Sequence, residues 1–292
     1  MKNLINYYYN LDLKAFKKSE GKFIFQSDNK FYEFIPFYGD VNIFYKNYIT
    51  VVNSNKYCHQ IIFNKEKKIL TFYENKPYLL LKKNLSINNK VDLKEIITYD
   101  IPIHSEAKLE WKKLWKEKID YYEYQMSQLA HKYKKLKNSF DYYIGLSETA
   151  INLLNYAKEK DIRFFMCHRR IKQNEKLDDF FNPINFVVDS KTRDIGEYIK
   201  INYFTKNVDY DDVCHYIDIL NFNDTECILL LARLMYPSYY FDTYDQIIQG
   251  FIGEEKIEAY TKKNASYEAF LKKIYIYIRL NFRIPEIEWL EN

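Results

Sequence analysis

Between Phe164 and Lys200 the chain sets a histidine, three arginines and four aspartates into a regular frame: F-F-M-C-H-R-R-I, a polar insert, then N-P-I-N-F-V-V-D-S-K-T-R-D-I-G-E-Y-I-K. The frame reads as an apolar strand ending in His168, a short loop, a second apolar strand, an acidic turn at Asp189 and a helix opening on Arg193-Asp194. Phosphoryl transfer to a hydroxyl fits such a layout. It needs a carboxylate to take the hydroxyl proton and further acids to hold the metal ions that neutralise the phosphates. Directly after His168, however, stand Arg169 and Arg170, whose guanidiniums stay protonated and cannot act as that base.

The flanking sequence predicts the elements that would position these groups. Short apolar runs at Phe23–Phe25, Phe31–Pro36, Gln60–Phe63, Ile69–Tyr73 and Tyr78–Leu81, separated by Asn, Gly, Asp and Lys-rich breaks, predict an antiparallel sheet. The S-D-N-K and N-K-E-K-K breaks read as hairpin connections. After Pro102, Leu109, Leu114, Trp115, Ile119, Tyr122, Met126, Leu129 and Tyr133 recur at helical spacing. Asn138 and Ser139 read as a break, with Ser139 or Asp141 capping the next helix. Beyond Thr192 the pattern is helical to the end. The whole predicts an α+β chain of bilobal, protein kinase-like order: a small antiparallel β lobe over 1–90, then a larger helical lobe over 91–292 carrying the segment 164–200.

Bulk properties narrow the function classes. With 292 residues, 47% of them hydrophobic, the chain can bury a large core. It has no apolar run of the roughly 18 residues that a spanning helix requires, so membrane insertion is not expected. The start, M-K-N-L-I-N-Y-Y-Y-N, lacks the apolar core and small-residue cleavage site of a signal peptide. Four cysteines without C-x-x-C spacing predict reduced thiols in a cytoplasmic protein. Net charge is +4, and only seven of the 44 basic residues are Arg, which argues against nucleic acid as a partner.

Four segments carry a family resemblance: Y-Y-I-G-L-S-E-T-A-I (142–151), C-H-R-R-I (167–171), R-D-I-G-E-Y-I (193–199) and A-R-L-M-Y-P-S-Y-Y-F-D (232–242). Together they resemble the YutH-type spore coat-associated proteins, in the CotS-like branch of the aminoglycoside phosphotransferase, or kinase-like, superfamily. The resemblance implies a bilobal fold, a place in or near the spore coat and other proteins as partners. In active members H-G-D-x-x-x-x-N supplies a catalytic Asp and a metal-binding Asn. Here Arg170 takes the Asp slot and Asn174 is the nearest Asn. Pairing I-N-F with the second metal acid puts Asn185 in its place, leaving Asp189 as a candidate metal ligand four residues on. Asp194 matches the structural Asp that ties down the catalytic loop. The strand K-F-Y-E-F-I-P-F offers Glu33, Ile35 and Pro36 where a nucleotide-side Lys belongs, and no Gly-rich loop precedes it. A catalytically degenerate body without cofactor is therefore expected. The alternatives are an atypical small-molecule phosphotransferase using ATP and Mg, with Asp189 on the metal and Asp178 or Asp179 as base, and a non-catalytic nucleotide or anion-binding module at Arg169 and Arg170.

Other candidates have plainer readings. His168, Arg169 and Arg170 either bind an anion or have one Arg tied internally to Asp189 or Asp194, and the tie is favoured. Arg193 and Asp194, with Thr192 as N-cap, suit a structural helix start. Three Cys-His dipeptides, at 58–59, 167–168 and 214–215, lack zinc-ligand spacing, so neither zinc nor a thiol nucleophile is expected. Trp111 and Trp115 form either an exposed stripe or, as favoured, packing against the neighbouring lobe. The aromatic run Tyr236–Tyr244 reads as a loop lining a groove or plugging the C-terminal helices.

Overall fold

The computed structural model describes residues 1–19, 21–83, 89–104, 107–172, 175–206 and 208–291. The chain forms two compact units, Met1–Asp92 with Asn174–Val187, and Leu93–Gln173 with Val188–Asn292.

Unit 1 is built on one antiparallel sheet. Its strands are β1 (Phe16–Ser19), β2 (Lys22–Ser27), β3 (Lys30–Pro36), β4 (Gln60–Ile62), β5 (Leu70–Tyr73) and β6 (Lys76–Lys83), in the order β1-β2-β3-β6-β4, with β5 also on β6. Alternate side chains serve opposite faces. Phe23, Phe25, Tyr32, Phe34, Tyr78 and Leu80 pack with helix α1 (Lys2–Tyr9), whereas Leu79, Leu81 and Ile61 pack with helix α2 (Val41–Asn53) through Phe44. A strand covered on both faces reads as the continuous apolar run seen in β6.

The β2–β3 hairpin closes on Asp28 and Asn29, and β5–β6 on Glu74 and Asn75. All four have φ between 48° and 61°, the left-handed values that a two-residue I′ turn requires. The N-K-E-K-K stretch is not a hairpin between its flanking strands, since both β4 and β5 pair with β6 instead. Helices α1 and α2 interrupt what the sequence presented as strands alone. Asp40 caps α2 by accepting from the N–H groups of Asn42 (2.7 Å) and Ile43 (3.1 Å).

Residues 175–187, far along the chain, complete unit 1. They form a turn of helix, α3 (Leu177–Phe180), a 3-10 turn at Pro183–Asn185 and the first residues of β8 (Phe186–Ser190). Ile184 packs on the Leu79–Leu81 face, His59 donates its N–H to Phe181 O at 3.0 Å, and Val91 N–H to Glu175 O at 2.8 Å.

Unit 2 holds helices α4 (Leu93–Thr98), α5 (Trp111–Leu129), α6 (Lys134–Leu153), α7 (Thr192–Lys206), α8 (Tyr210–Ile219), α9 (Asp224–Met235), α10 (Ser238–Ile248), α11 (Glu258–Thr261), α12 (Asn264–Asn281) and α13 (Glu288–Glu291). Strand β7 (Phe164–His168) pairs with β8. Helix α9 is buried on every side from Thr225 to Met235 and opens with a capping box between Asn223 and Glu226, as suits a central helix. Asn138 and Ser139 do not break a helix. They lie inside α6, where Ser139 Oγ bonds back to Lys135 O and Leu136 O, both at 3.1 Å. The Tyr236–Tyr244 run is chiefly helix: α10 starts at Ser238 and buries Tyr240 and Tyr244. No helix among the described residues is long and apolar enough to cross a membrane.

Candidate functional site

The segment chosen from the sequence is held together by the first turn of α7. His168, the last residue of β7, is buried, and Asp194 accepts its backbone N–H at 3.0 Å and faces its Nδ1 at 2.7 Å. Arg193 spans the loop: Nε donates to His168 O (2.9 Å), one terminal nitrogen to Arg169 O (2.8 Å) and the other to Asp189 Oδ2 (2.6 Å). Thr192 is the first helical residue rather than the cap, and its N–H reaches Ser190 Oγ at 3.4 Å.

Asp189, the candidate metal ligand, is fully engaged by protein. Besides Arg193 it accepts from Trp111 Nε1 (2.9 Å, on Oδ2) and from Ser190 N–H (2.7 Å, on Oδ1). Burial opposes the charge on Arg193, but Asp189 outweighs it and raises the guanidinium above its ordinary pKa. A metal at Asp189 would have to displace a buried, hydrogen-bonded ion pair, so the residues as placed do not fit one. Among the described residues no three His, Cys, Asp or Glu side chains gather into a metal-holding group. Cys167 donates its thiol to Ser190 O (3.4 Å), and complete burial raises its pKa.

The internal tie expected of Arg169 or Arg170 is made by Arg193 instead. Arg170 forms an ion pair with Asp242 of α10. Arg169 is exposed and has no ion-pair partner among the described residues. Asn174 lies outside the described residues. Asn185 belongs to unit 1, on the 3-10 turn, donating to Asp179 O at 3.1 Å.

Trp111 and Trp115, expected to pack against the neighbouring lobe, are buried and make their ring contacts inside unit 2. Their rings stack on each other at 5.3 Å, and Trp115 stacks on Tyr236 at 4.2 Å. The Arg233 guanidinium lies 4.7 Å from the Trp111 ring centre and 5.5 Å from that of Trp115. Behind Arg233 runs a buried network: Glu197 lies 2.8 Å from Arg233 Nε as an ion pair and accepts from Lys200 Nζ at 2.9 Å, and Lys200 also donates to Tyr236 O and Ser238 Oγ, both at 2.9 Å. Burial opposes the Glu197 charge, yet Lys200 and Arg233 hold its carboxyl well below the usual range; burial brings Lys200 down to about 8. Gly196 allows the close approach, since a Cβ there would stand 2.8 Å from Arg233 Cγ. Trp111, Trp115, Arg233, Tyr236 and Ser238 border a cavity of about 190 Å³. The sequence contained Arg233 and Asp242 in the A-R-L-M-Y-P-S-Y-Y-F-D run, and helical spacing from Arg193 could have flagged Glu197 and Lys200 as inward-facing.

Unit 1 has its own buried charges. Lys83, at the end of β6, meets Glu33 of β3 at 2.5 Å and also pairs with Asp178 of α3. His59 Nε2 lies 3.3 Å from Asp178, and Lys22 lies 3.4 Å from Glu33. Burial opposes the Asp178 charge, but the bonds from His59 and Lys83 prevail and lower its pKa. Asp178, an alternative base on sequence grounds, is thus a structural acid of the sheet, and Asp179 stands half-exposed 3.9 Å from Lys22.

Comparison with known proteins agrees with this architecture. The endospore coat-associated protein YutH of Bacillus subtilis (strain 168) is 23% identical over 307 aligned residues, covering 91% of each chain. Among solved structures, an aminoglycoside phosphotransferase from Alicyclobacillus acidocaldarius superposes with a TM-score of 0.70 at 10% identity over 96% of each chain. Spectinomycin phosphotransferase APH(9)-Ia, in complex with ADP and spectinomycin, gives 0.56 at 12% identity, over 97% of this chain and 93% of that one. These likenesses establish an α+β, kinase-like fold of the aminoglycoside phosphotransferase type, a small antiparallel lobe followed by a larger helical one. The model of the family described as "Spore coat putative kinase YutH" matches residues 2–274, and the protein belongs to that family.

Proposed function

We propose that this protein has the kinase fold without phosphotransferase activity and works by binding other proteins at or near the spore coat. The observation that carries the first part is the state of Asp189, whose two oxygens are taken by Arg193, Trp111 and the Ser190 N–H. Arg170, in the slot of the proton acceptor, supports it: a guanidinium paired with Asp242 cannot take a proton from a hydroxyl. Loss of both acids removes metal neutralisation and general base together, and phosphoryl transfer depends on them jointly. The coat assignment rests on family membership and on the coat association in the name of the Bacillus subtilis relative.

Thermal-shift titration of the full chain with ATP, with and without magnesium, tests the catalytic half. No magnesium-dependent rise in Tm is expected, because a ligand stabilises only through the state it binds. A magnesium-dependent rise, abolished by Asp189→Asn together with a measurable ATP turnover, would establish an atypical phosphotransferase instead. The binding half is tested by tagging the chain in a spore-forming host: recovery with purified coats is expected, and recovery only in the mother-cell lysate would refute it.

A further inference from the structure

The 190 Å³ cavity of unit 2 has a lining unbalanced in charge. Five cations border it, Lys118, Arg169, Arg170, Arg193 and Arg233, against the single carboxylate of Asp242. Arg193 is committed to Asp189 and Arg170 to Asp242. Arg233 shares Glu197 with Lys200, so two buried cations there answer to one acid. Lys118 and Arg169 have no ion-pair partner among the described residues, and burial together with Arg170 lowers the Lys118 pKa.

A second, independent observation points to a ligand. The Tyr236 side chain lines the cavity, only 3% of the residue is exposed, and its hydroxyl has no hydrogen-bond partner. Arg233 is 5% exposed, and although Glu197 lies 2.8 Å from its Nε, that buried nitrogen has no hydrogen-bond partner among the described residues. Buried donors in native proteins are satisfied as a rule, by protein, water or ligand. The stacked rings of Trp111, Trp115 and Tyr236 hold these donors in place and keep bulk water from them, which strengthens their pull on an anion.

We propose that this cavity binds a phosphomonoester dianion, with Arg169 and Arg233 as its guanidinium contacts, Lys118 at the rim and the Tyr236 hydroxyl donating to one oxygen. The surplus of cations selects a dianion over a carboxylate, and the small volume admits a phosphoryl group on a short stem rather than a whole nucleotide. The site is independent of whether the protein transfers phosphate, because it needs no metal and no base.

The test uses the full chain at pH 7.5, where the second phosphate ionisation, near about 6, is complete. Binding of orthophosphate, O-phospho-L-serine and a short phosphoserine peptide is followed by tryptophan fluorescence and Tm, with sodium chloride at equal ionic strength as control. Saturable binding of at least one phosphate probe is expected, weakened about tenfold by Arg169→Gln and several-fold by Tyr236→Phe, as befits loss of one charge-assisted and one neutral hydrogen bond. Neither substitution should move Tm without ligand by more than the scatter of replicates, which separates lost binding from lost folding. A peptide that binds more tightly than orthophosphate identifies a phosphorylated protein as the source, and equal affinities identify a free phosphate compound. The proposal fails if no phosphate probe exceeds the chloride control, or if both variants bind like the parent.

Discussion

Unit 1 and unit 2 each bury a knot of charges, and the two are built on opposite principles. In unit 1, Lys83 sits between Glu33 and Asp178, Lys22 shares the Glu33 oxygen that Lys83 meets and His59 faces the other oxygen of Asp178, so acids and bases are matched within a few ångströms. In unit 2, the wall beside the aromatic stack carries more cations than acids and borders a cavity. A matched knot explains itself as architecture: it pins residues 175–187 to the sheet. Surplus charge beside a cavity is costly unless something else completes it. The position of an ionisable residue in the sequence therefore says less about function than whether its charge is answered.

The largest effect should come from cutting the buried acid of unit 2. Glu197→Ala leaves Lys200, which is fully buried, and Arg233 without their carboxylate, and should cost about 3–5 kcal/mol in urea unfolding or abolish soluble expression. In unit 1, Glu33→Leu alone should cost roughly 2–3 kcal/mol, since Glu33 is 1% exposed and Lys83 loses one of its two acids. Adding Lys83→Met and Asp178→Asn should recover most of that loss, because the two acids and the cation between them are then removed together. A triple variant no more stable than Glu33→Leu would show that the knot does more than hold the fold.

What the sequence disclosed, and what it hid, follows the same division. Period-two and period-3.6 patterns exposed most of β2–β6 and nearly every helix after Thr192, because burial on a defined face leaves a periodic trace. Helices α1 and α2 were concealed by Tyr, Asn and Val, residues that suit strands equally well, and only tertiary packing decides for them. The H-R-R and R-D runs were visible as motifs. Which Arg meets which Asp was not, since Arg193–Asp189 closes over the turn from β8 into α7 whereas Arg170–Asp242 spans 72 positions. Likewise nothing in the local spacing of E-K-L-D-D-F-F indicates that this stretch belongs to the unit built on a sheet some hundred residues earlier.

Acid should sharpen the contrast. Glu197 and Asp178 both have lowered pKa values in the folded state, so their stabilising contribution is complete above the unfolded carboxylate range near 4 and is lost as pH falls through the folded values. Lys200 works at the other end: about 8 when folded against 10.5 when unfolded, it makes the unfolded state bind more protons across that interval, so its contribution rises from pH 8 to 10.5. Urea midpoints between pH 3 and pH 10.5 should fall on the acid side, and Lys200→Met should remove the alkaline rise while leaving the acid limb. An alkaline rise that survives Lys200→Met belongs to another group.

The smallest effect is expected where the sequence drew most attention. Arg170→Asp restores a carboxylate to the slot after His168, yet it should give no ATP turnover above the parent. The Arg170–Asp242 pair is half-exposed, with side chains 35% and 45% accessible, so losing it should cost at most about 1 kcal/mol. A new acid there would face Asp242 as a like charge, which raises its pKa and so does not itself bar it from acting as a base. Asp189 would still be held by Arg193 and Trp111, leaving no acid to take a metal. If Arg170→Asp alone were to release phosphate from ATP with magnesium, the internal pairing of Asp189 would have to open readily, and the barrier to catalysis would lie in one guanidinium rather than in the surrounding network.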